Sequence, residues 1–490
     1  MRDLPETDSA ELAVPWTGGD GISSRGVVTT VLRHEIRLLV GSFRFRASAF
    51  LLIALMALAA VTAAARYRGE TLAQAEAVDE YRRRLAGTTI DHVVETLHPA
   101  IRPPWALALV ADGGQTATPD VHGQALSALI APELRRLHSG NHRLPASEPL
   151  DWLFVIRVVL SLCAFLLGYN AMCGERQTGA LKLLLSYPIS RWQVFTGKLL
   201  ALWSCLAAPF VAGAVFSLLI AAGLGIPFQL QDLVKAGLVV LLGVWAAAFF
   251  ALVALLVSSL ARDSATSLII LVWLWVTAVI VVPAVSGLLA YRFHPIPTEG
   301  EIGREMKAID QRIAQEYAGR EGRWRQPEWA ATDDFAWERI SAAAENRRFR
   351  LKEEVRRRWM QLKVAQARLA RDLASLSPTS LIQDLAERLT GSGLWRHESF
   401  LEQARAFRPV LAERLRALDA RDPASPHVLF FSGWLSQRPV DPEEIPRFTF
   451  RERSVRQGLA TARPVLWLFA LETLALAAAS LFFFSRSDAG

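Results

Sequence analysis

The sequence predicts an all-α polytopic membrane protein: six transmembrane helices carrying a mainly helical extracytoplasmic domain. Three observations lead there. Of 490 residues, 52% are hydrophobic, and the apolar residues cluster in runs of about 20, the length that crosses a bilayer core as a helix. Basic residues gather beside several of those runs, with a formal net charge of +7, as expected of membrane-flanking loops. The long stretches between some runs show apolar residues at helical spacing. A chain of this length allows roughly three soluble domains, but the clustering of the apolar residues excludes that organisation. No basic stripe interleaved with aromatics points to nucleic acid, and no nucleic-acid partner is expected.

The six spans are expected at 47–65, 152–172, 199–223, 236–260, 268–290 and 464–484. The first, ASAFLLIALMALAAVTAAA, lies too far from Met1 for an ordinary cleaved signal and reads as a retained anchor. Arg25, Arg33, Arg37, Arg44 and Arg46 precede it against Glu35 alone, so residues 1–46 are placed in the cytoplasm. Six spans then put both termini inside. The segment 173–198 and the turn ARDSAT fall inside as well, with Arg176, Lys182, Arg191, Lys198 and Arg262. The loop 66–151, the short 224–235 and the insert 291–463 fall outside; long loops translocate largely regardless of charge.

Within the insert, EIGREMKAIDQRIAQEY carries Ile302, Met306, Ile309, Ile313 and Tyr317 as a helical stripe. A longer helix is expected over about 333–376, with Val355, Trp359, Leu362, Leu369, Leu373 and Leu376 on one face and a reach of ~60 Å, well clear of the bilayer. Pro378 stops it, and two shorter amphipathic helices follow. Mutual packing of a helical hairpin accounts for these stripes. The loop 66–151 begins helical, as ETLAQAEAVDEYRRRLAG, and turns Pro- and Gly-rich.

The three cysteines lie in or beside spans, so no disulfide holds the exported loops. Five of nine histidines fall in the first exported loop, at His92, His98, His122, His138 and His142; their spacing matches no closed zinc pattern, and surface histidines are the favoured reading. There is no GxxxxGK[ST], HExxH or GxSxG. The chain is therefore not expected to be an enzyme, and no metal or cofactor is assigned to it. Glu472 and Arg157 are ionisable groups inside spans, rare and costly there. Glu472 is expected to pair with a neighbouring helix, and Arg157 to snorkel outward. Pro209 and Pro283 should kink their spans. Gly243, Ala247 and Ala251, at four-residue spacing, suit a close helix contact.

The segment GERQTGALKLLLSYPISRWQVFTGK, residues 174–198, is charged where its surroundings are not. Residues 179–187 suit a short amphipathic helix ended by Pro188, able to lie on the membrane surface held by lipid and to present Glu175, Arg176 and Arg191 to the cytosol. The stretch ERQTGALKLLLSYPISRWQVFTGKLLA resembles the signature after the second span of ABC-2 type transporter permeases. The resemblance falls on Glu175, Thr178, Gly179, Leu181 to Leu185, Ser186, Pro188, Ser190, Arg191, Gly197 and Lys198. The order Thr178-Gly179-Ala180-Leu181 departs modestly from the family's Gly-Thr-Leu. VVTTVLRHEIRLLVGSFRF is similar to the family's interfacial elbow helix. The insert's placement, SLSPTSLIQDLAERLTG and IPRFTFRE resemble a narrower branch, labelled multicopper-enzyme-maturation or gliding-type permeases; few Met and no Cys in the exported loops argue against reading copper handling into that label.

The resemblance implies a permease subunit in a bacterial-type cytoplasmic (inner) membrane. It would pair with a second copy or a related permease and be driven by a separate ABC ATPase that binds ATP and Mg. The docking residues it implies are Glu175, Arg176, Thr178, Gly179, Pro188 and Arg191, so that reversing charge at Glu175 and Arg191 together should uncouple the ATPase without unfolding the spans. The exported helices are expected to gate an exit, recruit a periplasmic partner or carry motion outward. The alternatives are a mechanotransmission subunit without solute flux, and a sensor or scaffold.

Overall fold

The computed structural model describes residues 24–115, 118–127, 130–137, 149–180, 183, 186, 189–324, 336–428 and 433–486. Six helices in it are long and apolar enough to cross a membrane: α2 (Phe43–Leu85), α4 (Trp152–Thr178), α5 (Arg191–Gly223), α6 (Leu230–Leu260), α7 (Ser264–Phe293) and α12 (Val455–Arg486). Each contains one of the six runs read from the sequence, and the fold class is as expected. Before them, α1 (Ser24–Gly41) packs on α5. The core of the bundle is shared by α2, α4, α5 and α6 and centres on Met56, Ile156, Phe210, Ala247 and Leu255. A Cβ on Gly243 would lie 2.4 Å from the Phe210 ring, so the small-residue stripe on α6 is a close contact with α5, as its spacing suggested.

Outside the bundle, α2 continues without a break to Leu85, and α3 (Ile90–Glu95) leads into strands β1 (His98–Ile101), β2 (Val121–Gln124) and β3 (Glu133–Arg135). They form one antiparallel sheet in the order β1-β2-β3. No sign of it shows in the sequence, because strands of three or four residues are too short for alternation to register. His98 and His122 sit buried in this sheet rather than on a surface; His138 and His142 lie outside the described residues. Burial pulls His98 down to about 4, in keeping with a neutral ring whose Nδ1 meets the Tyr81 hydroxyl at 2.5 Å and whose Nε2 meets the Val93 carbonyl at 3.0 Å.

The insert holds α8 (Glu299–Trp324), α9 (Ala336–Ala374), α10 (Pro378–Thr390) and α11 (Gly393–Asp419). Ile309, Ile313 and Tyr317 of α8 pack against Ile340, Ala344 and Leu351 of α9, the expected hairpin. Two details differ from the sequence reading. Leu376 is 79% exposed, because it follows the helix end instead of extending its stripe. The second is larger. α9 also packs along Val282–Phe293 of α7, just beyond which Trp359 Nε1 donates to the Pro297 carbonyl and Gln366 Nε2 to that of His294.

α10 then enters the bundle itself. Its apolar face, Leu381, Ile382, Leu385, Ala386 and Leu389, joins the span core, against α12, α6 and two π-helical turns. These turns are Val155–Leu160 in α4 and Thr277–Val281 in α7. The second has a visible cause. Val282 N–H reaches back to the Thr277 carbonyl, and the next donor in that pattern falls on Pro283, which has none. The Ala278 carbonyl is thereby released, and the Ser377 and Thr379 hydroxyls donate to it at 2.7 and 2.9 Å. Pro378, expected to stop a helix, sits in the first turn of α10, where a missing N–H costs nothing. The polar face of α10 is paired: Arg371 with Glu387 at 2.6 Å and Arg388 with Asp384 at 2.7 Å.

Candidate functional site

Five elements meet at the end of the bundle that carries residues 174–198, and one lysine ties three of them. Lys198, in the second turn of α5, is 3% exposed. Its Nζ lies 2.5 Å from Glu35 Oε1 on α1 and 2.5 Å from Glu175 Oε1 at the end of α4. A buried ammonium needs such partners, since a charge left alone at low dielectric is expensive. The adjacent Gly197 makes the geometry available: a Cβ there would be 2.7 Å from Val31 Cγ1, so only glycine lets α1 lie against α5. The Gly-Lys pair thus has two physical jobs, close approach and charge pairing.

The two arginines of the segment close helix ends. Arg176 Nη1 and Nη2 donate to the carbonyls of Ala261 and Ser259, at 3.1 and 3.0 Å, where α6 ends. Arg191 Nη1 donates to the carbonyls of Phe484 and Ser485, at 3.4 and 3.2 Å, near the end of α12. Helix C-termini leave carbonyls without partners and attract cations. Ser258 Oγ accepts the Met172 and Cys173 amides at 3.0 and 3.3 Å, joining α4 to α6 again.

Glu175, Arg176 and Arg191 are therefore held by partners within the chain and only part-exposed, where the sequence reading presents them to the cytosol. What faces outward is the strip between them. Gln177, Thr178, Gly179, Ala180, Leu183, Ser186, Ser190 and Trp192 are all exposed, Leu183 at 67% and Trp192 at 52%. Gly179 has φ +77° and ends the helical turn Cys173–Thr178, a left-handed cap that glycine adopts freely. Its carbonyl also accepts the Leu183 amide at 3.3 Å, and Ala180, Leu183 and Ser186 are helical, where a helix over 179–187 is expected. Thr178 caps back onto its own turn, its hydroxyl 3.2 Å from the Gly174 carbonyl. Pro188, with most of the amphipathic stretch around it, lies outside the described residues. α5 starts at a capping box of Ser190 and Gln193.

The intramembrane pair does not converge: Glu472 and Arg157 form no ion pair among the described residues. Glu472 Oε2 and Arg157 Nε are each buried without a hydrogen-bond partner there. Glu35 and Lys198 were the residues sequence reading undervalued. The signal was present in the lone acid among five arginines and in a lysine at the mouth of an apolar run.

Compared with known proteins, the chain matches the family described as ABC-2 family transporter protein over residues 29–489. No curated protein matches it. The matched range takes in all six spans, residues 174–198 and the insert, and the chain belongs to the ABC-2 family of transporter proteins, as a multi-pass membrane subunit.

Proposed function

We propose that this chain is the permease subunit of an ATP-driven exporter, and that a separate ABC ATPase, holding ATP and Mg, docks on the strip Gln177–Trp192. The observation that carries this reading is the contrast within residues 174–198. Charged side chains there fasten the ends of α1, α4, α5, α6 and α12 together, while among the described residues two large apolar side chains, Leu183 and Trp192, are left exposed among small ones. A partner pressing on such a strip meets a base tied to five helices, so a change in its position is passed to the spans rather than absorbed locally. Linkage supplies the energetics: ATP binding favours one arrangement of the ATPase, and that preference becomes a preference among span arrangements. Residues 174–198 are on the cytoplasmic side in this reading, with both termini, in a bacterial-type inner membrane.

A second permease, identical or related, is supported by the uneven burial of the spans: 72% of the apolar window of α4 is covered within the chain, but 6% of that of α7 and 11% of that of α12. Membrane lipid is the other neighbour. A cleft of about 490 Å³ between α2, α4 and α7, lined by Leu51, Val159, Leu162 and Trp275, has Arg44 at its edge. The branch with a large extracytoplasmic domain fits the position of α8–α11 between α7 and α12.

Mechanotransmission without solute flux is the second reading, and the packing of α9 along α7 favours it. Movement of α7 would swing the α8–α9 hairpin, about 58 Å long on α9's 39 residues, toward a periplasmic partner. Mild-detergent purification from the native cell, with identification of what co-purifies, tests the shared claim. A stoichiometric P-loop ATPase is expected; a solitary, stable protein would favour a sensor or scaffold and remove the transport reading. ATP-dependent flux in reconstituted vesicles separates export from mechanotransmission.

A further inference from the structure

At the opposite end of the bundle, the stretch after β1 turns into the core. Trp105 is 6% exposed, and Leu107 and Leu109 are fully buried. Two cations stand over that indole, and a third, Arg102, lies close by over the Phe400 ring at 5.8 Å. The Arg396 guanidinium lies 4.5 Å from the ring centroid and the Lys235 ammonium 5.4 Å; Arg102 joins through Gln115, its Nη2 3.4 Å from the Gln115 carbonyl and 3.1 Å from Thr118 Oγ1. Arg396 is spoken for. It donates to both oxygens of Glu452, to the Pro103 carbonyl and to Gln115 Oε1.

The others are not. Arg102 and Lys235, 6% and 2% exposed, form no ion pair among the described residues. Arg102 Nη1, Gln115 Nε2 and Trp105 Nε1 are buried with no acceptor there. Glu452, Glu70, Asp120 and Asp232 act on these cations from beyond ion-pair range, Glu452 on both. Burial draws Arg102 down to about 10, the direction expected of a desolvated cation. The neighbourhood therefore offers spare donors beside two cations with no carboxylate in contact, and Glu452, paired with Arg396, is one-third exposed. Water would answer the donors but would leave both cations without a contact anion.

We propose that Arg102, Trp105, Gln115 and Lys235 form a binding site for a phosphate-type oxyanion at the outer end of the span bundle, walled by the Arg396–Glu452 pair. The group can arrive as free phosphate or as the headgroup of an outer-leaflet phospholipid. The site belongs to this chain's own fold and stands whether or not the chain exports anything.

The test uses the full-length protein in detergent. Thermal unfolding is followed against inorganic phosphate, with chloride at matched ionic strength as control, and phospholipid retained through purification is counted per chain by native mass spectrometry. Wild type is compared with Lys235→Met, Arg102→Met and the charge-keeping Lys235→Arg. A saturable rise in Tm specific to phosphate, with apparent affinity weakened roughly tenfold or more in both Met variants and kept in Lys235→Arg, identifies a free anion. One tightly held phospholipid per chain, lost in the Met variants, identifies a headgroup. A phosphate response or a lipid count unchanged in both Met variants places the ligand elsewhere and overturns the proposal. So does wild type that shows neither response, a reading that needs no variant to fold.

Discussion

The two ends of the span bundle are closed by different physics. At the end bearing residues 174–198, closure is ionic and thin. One buried lysine holds two glutamates from two other helices, and arginines cover the carbonyls at two helix ends. At the other end, closure is by packing: α10 is wedged among α4, α6, α7 and α12, and its hydroxyls fill a carbonyl that Pro283 releases. A few directional bonds can be exchanged for others when a partner pushes; a packed wedge has to move as a body. The difference suits a machine driven from the first end and gated or levered at the second.

The largest expected effect breaks the ionic end. Lys198→Met leaves Glu35 and Glu175 facing each other in a poorly solvated site, and should cost about 3–5 kcal/mol, read as a fall in Tm in detergent. Replacing the whole triad, with Glu35→Gln and Glu175→Gln added, should recover most of it. A triple variant as unstable as the single one would mean that packing, not charge, holds this end. By the same reasoning, charge reversal at Glu175 and Arg191 together, which the sequence alone offers as a clean uncoupling change, should now destabilise the spans.

At the packed end, a Cβ on Gly458 of α12 would lie 2.9 Å from the carbonyl oxygens of both Arg388 and Leu389 of α10. Backbone cannot retreat as a flexible side chain can, so Gly458→Ala should cost about 1–3 kcal/mol and loosen α10, seen as faster hydrogen exchange over residues 378–390. Unchanged exchange there would argue that α10 is not held by α12.

Smaller again is the joint between α10 and α7. Ser377→Ala with Thr379→Val strands the Ala278 carbonyl, at about 1–3 kcal/mol. The same pair made in a Pro283→Ala background should cost clearly less, because the restored N–H gives that carbonyl a partner within its own helix. Equal costs in the two backgrounds would separate the π turn from the proline.

The smallest effect is local. His98 should remain neutral down to about pH 4, followed by NMR of selectively labelled histidine. Since folding depresses its pKa, its share of stability is whole above its ordinary value of 6.5 and is lost as pH falls through about 4. A midpoint near 6.5 would mean that the ring is not sealed by Tyr81 and Val93.

Much of this was legible in sequence because each readable feature repeats. Twenty-residue apolar runs give the spans, and stripes at helical spacing give α8 to α11. What stayed hidden depends on partners far apart in the chain. Lys198 meets Glu35 across 163 positions, and no local pattern announces it. Arginines 176 and 191 read as docking residues because charge beside a span usually faces water; that they also bond the carbonyls at two helix ends no local pattern announces. α10 read as one more amphipathic helix of an exported domain, and only its contacts show that its apolar face is part of the span core.

The most direct test of the ATPase-docking reading is a pull-down of the partner ATPase by wild type and by Leu183→Glu/Trp192→Glu. Both substitutions are at exposed positions and should change stability by no more than about 0.5 kcal/mol, leaving the lysine latch intact. Expected is stoichiometric capture by wild type and loss of capture by a variant with an unaltered Tm. Full capture by that variant, or none by wild type, would contradict the assignment of this strip as the place where the motor meets the membrane.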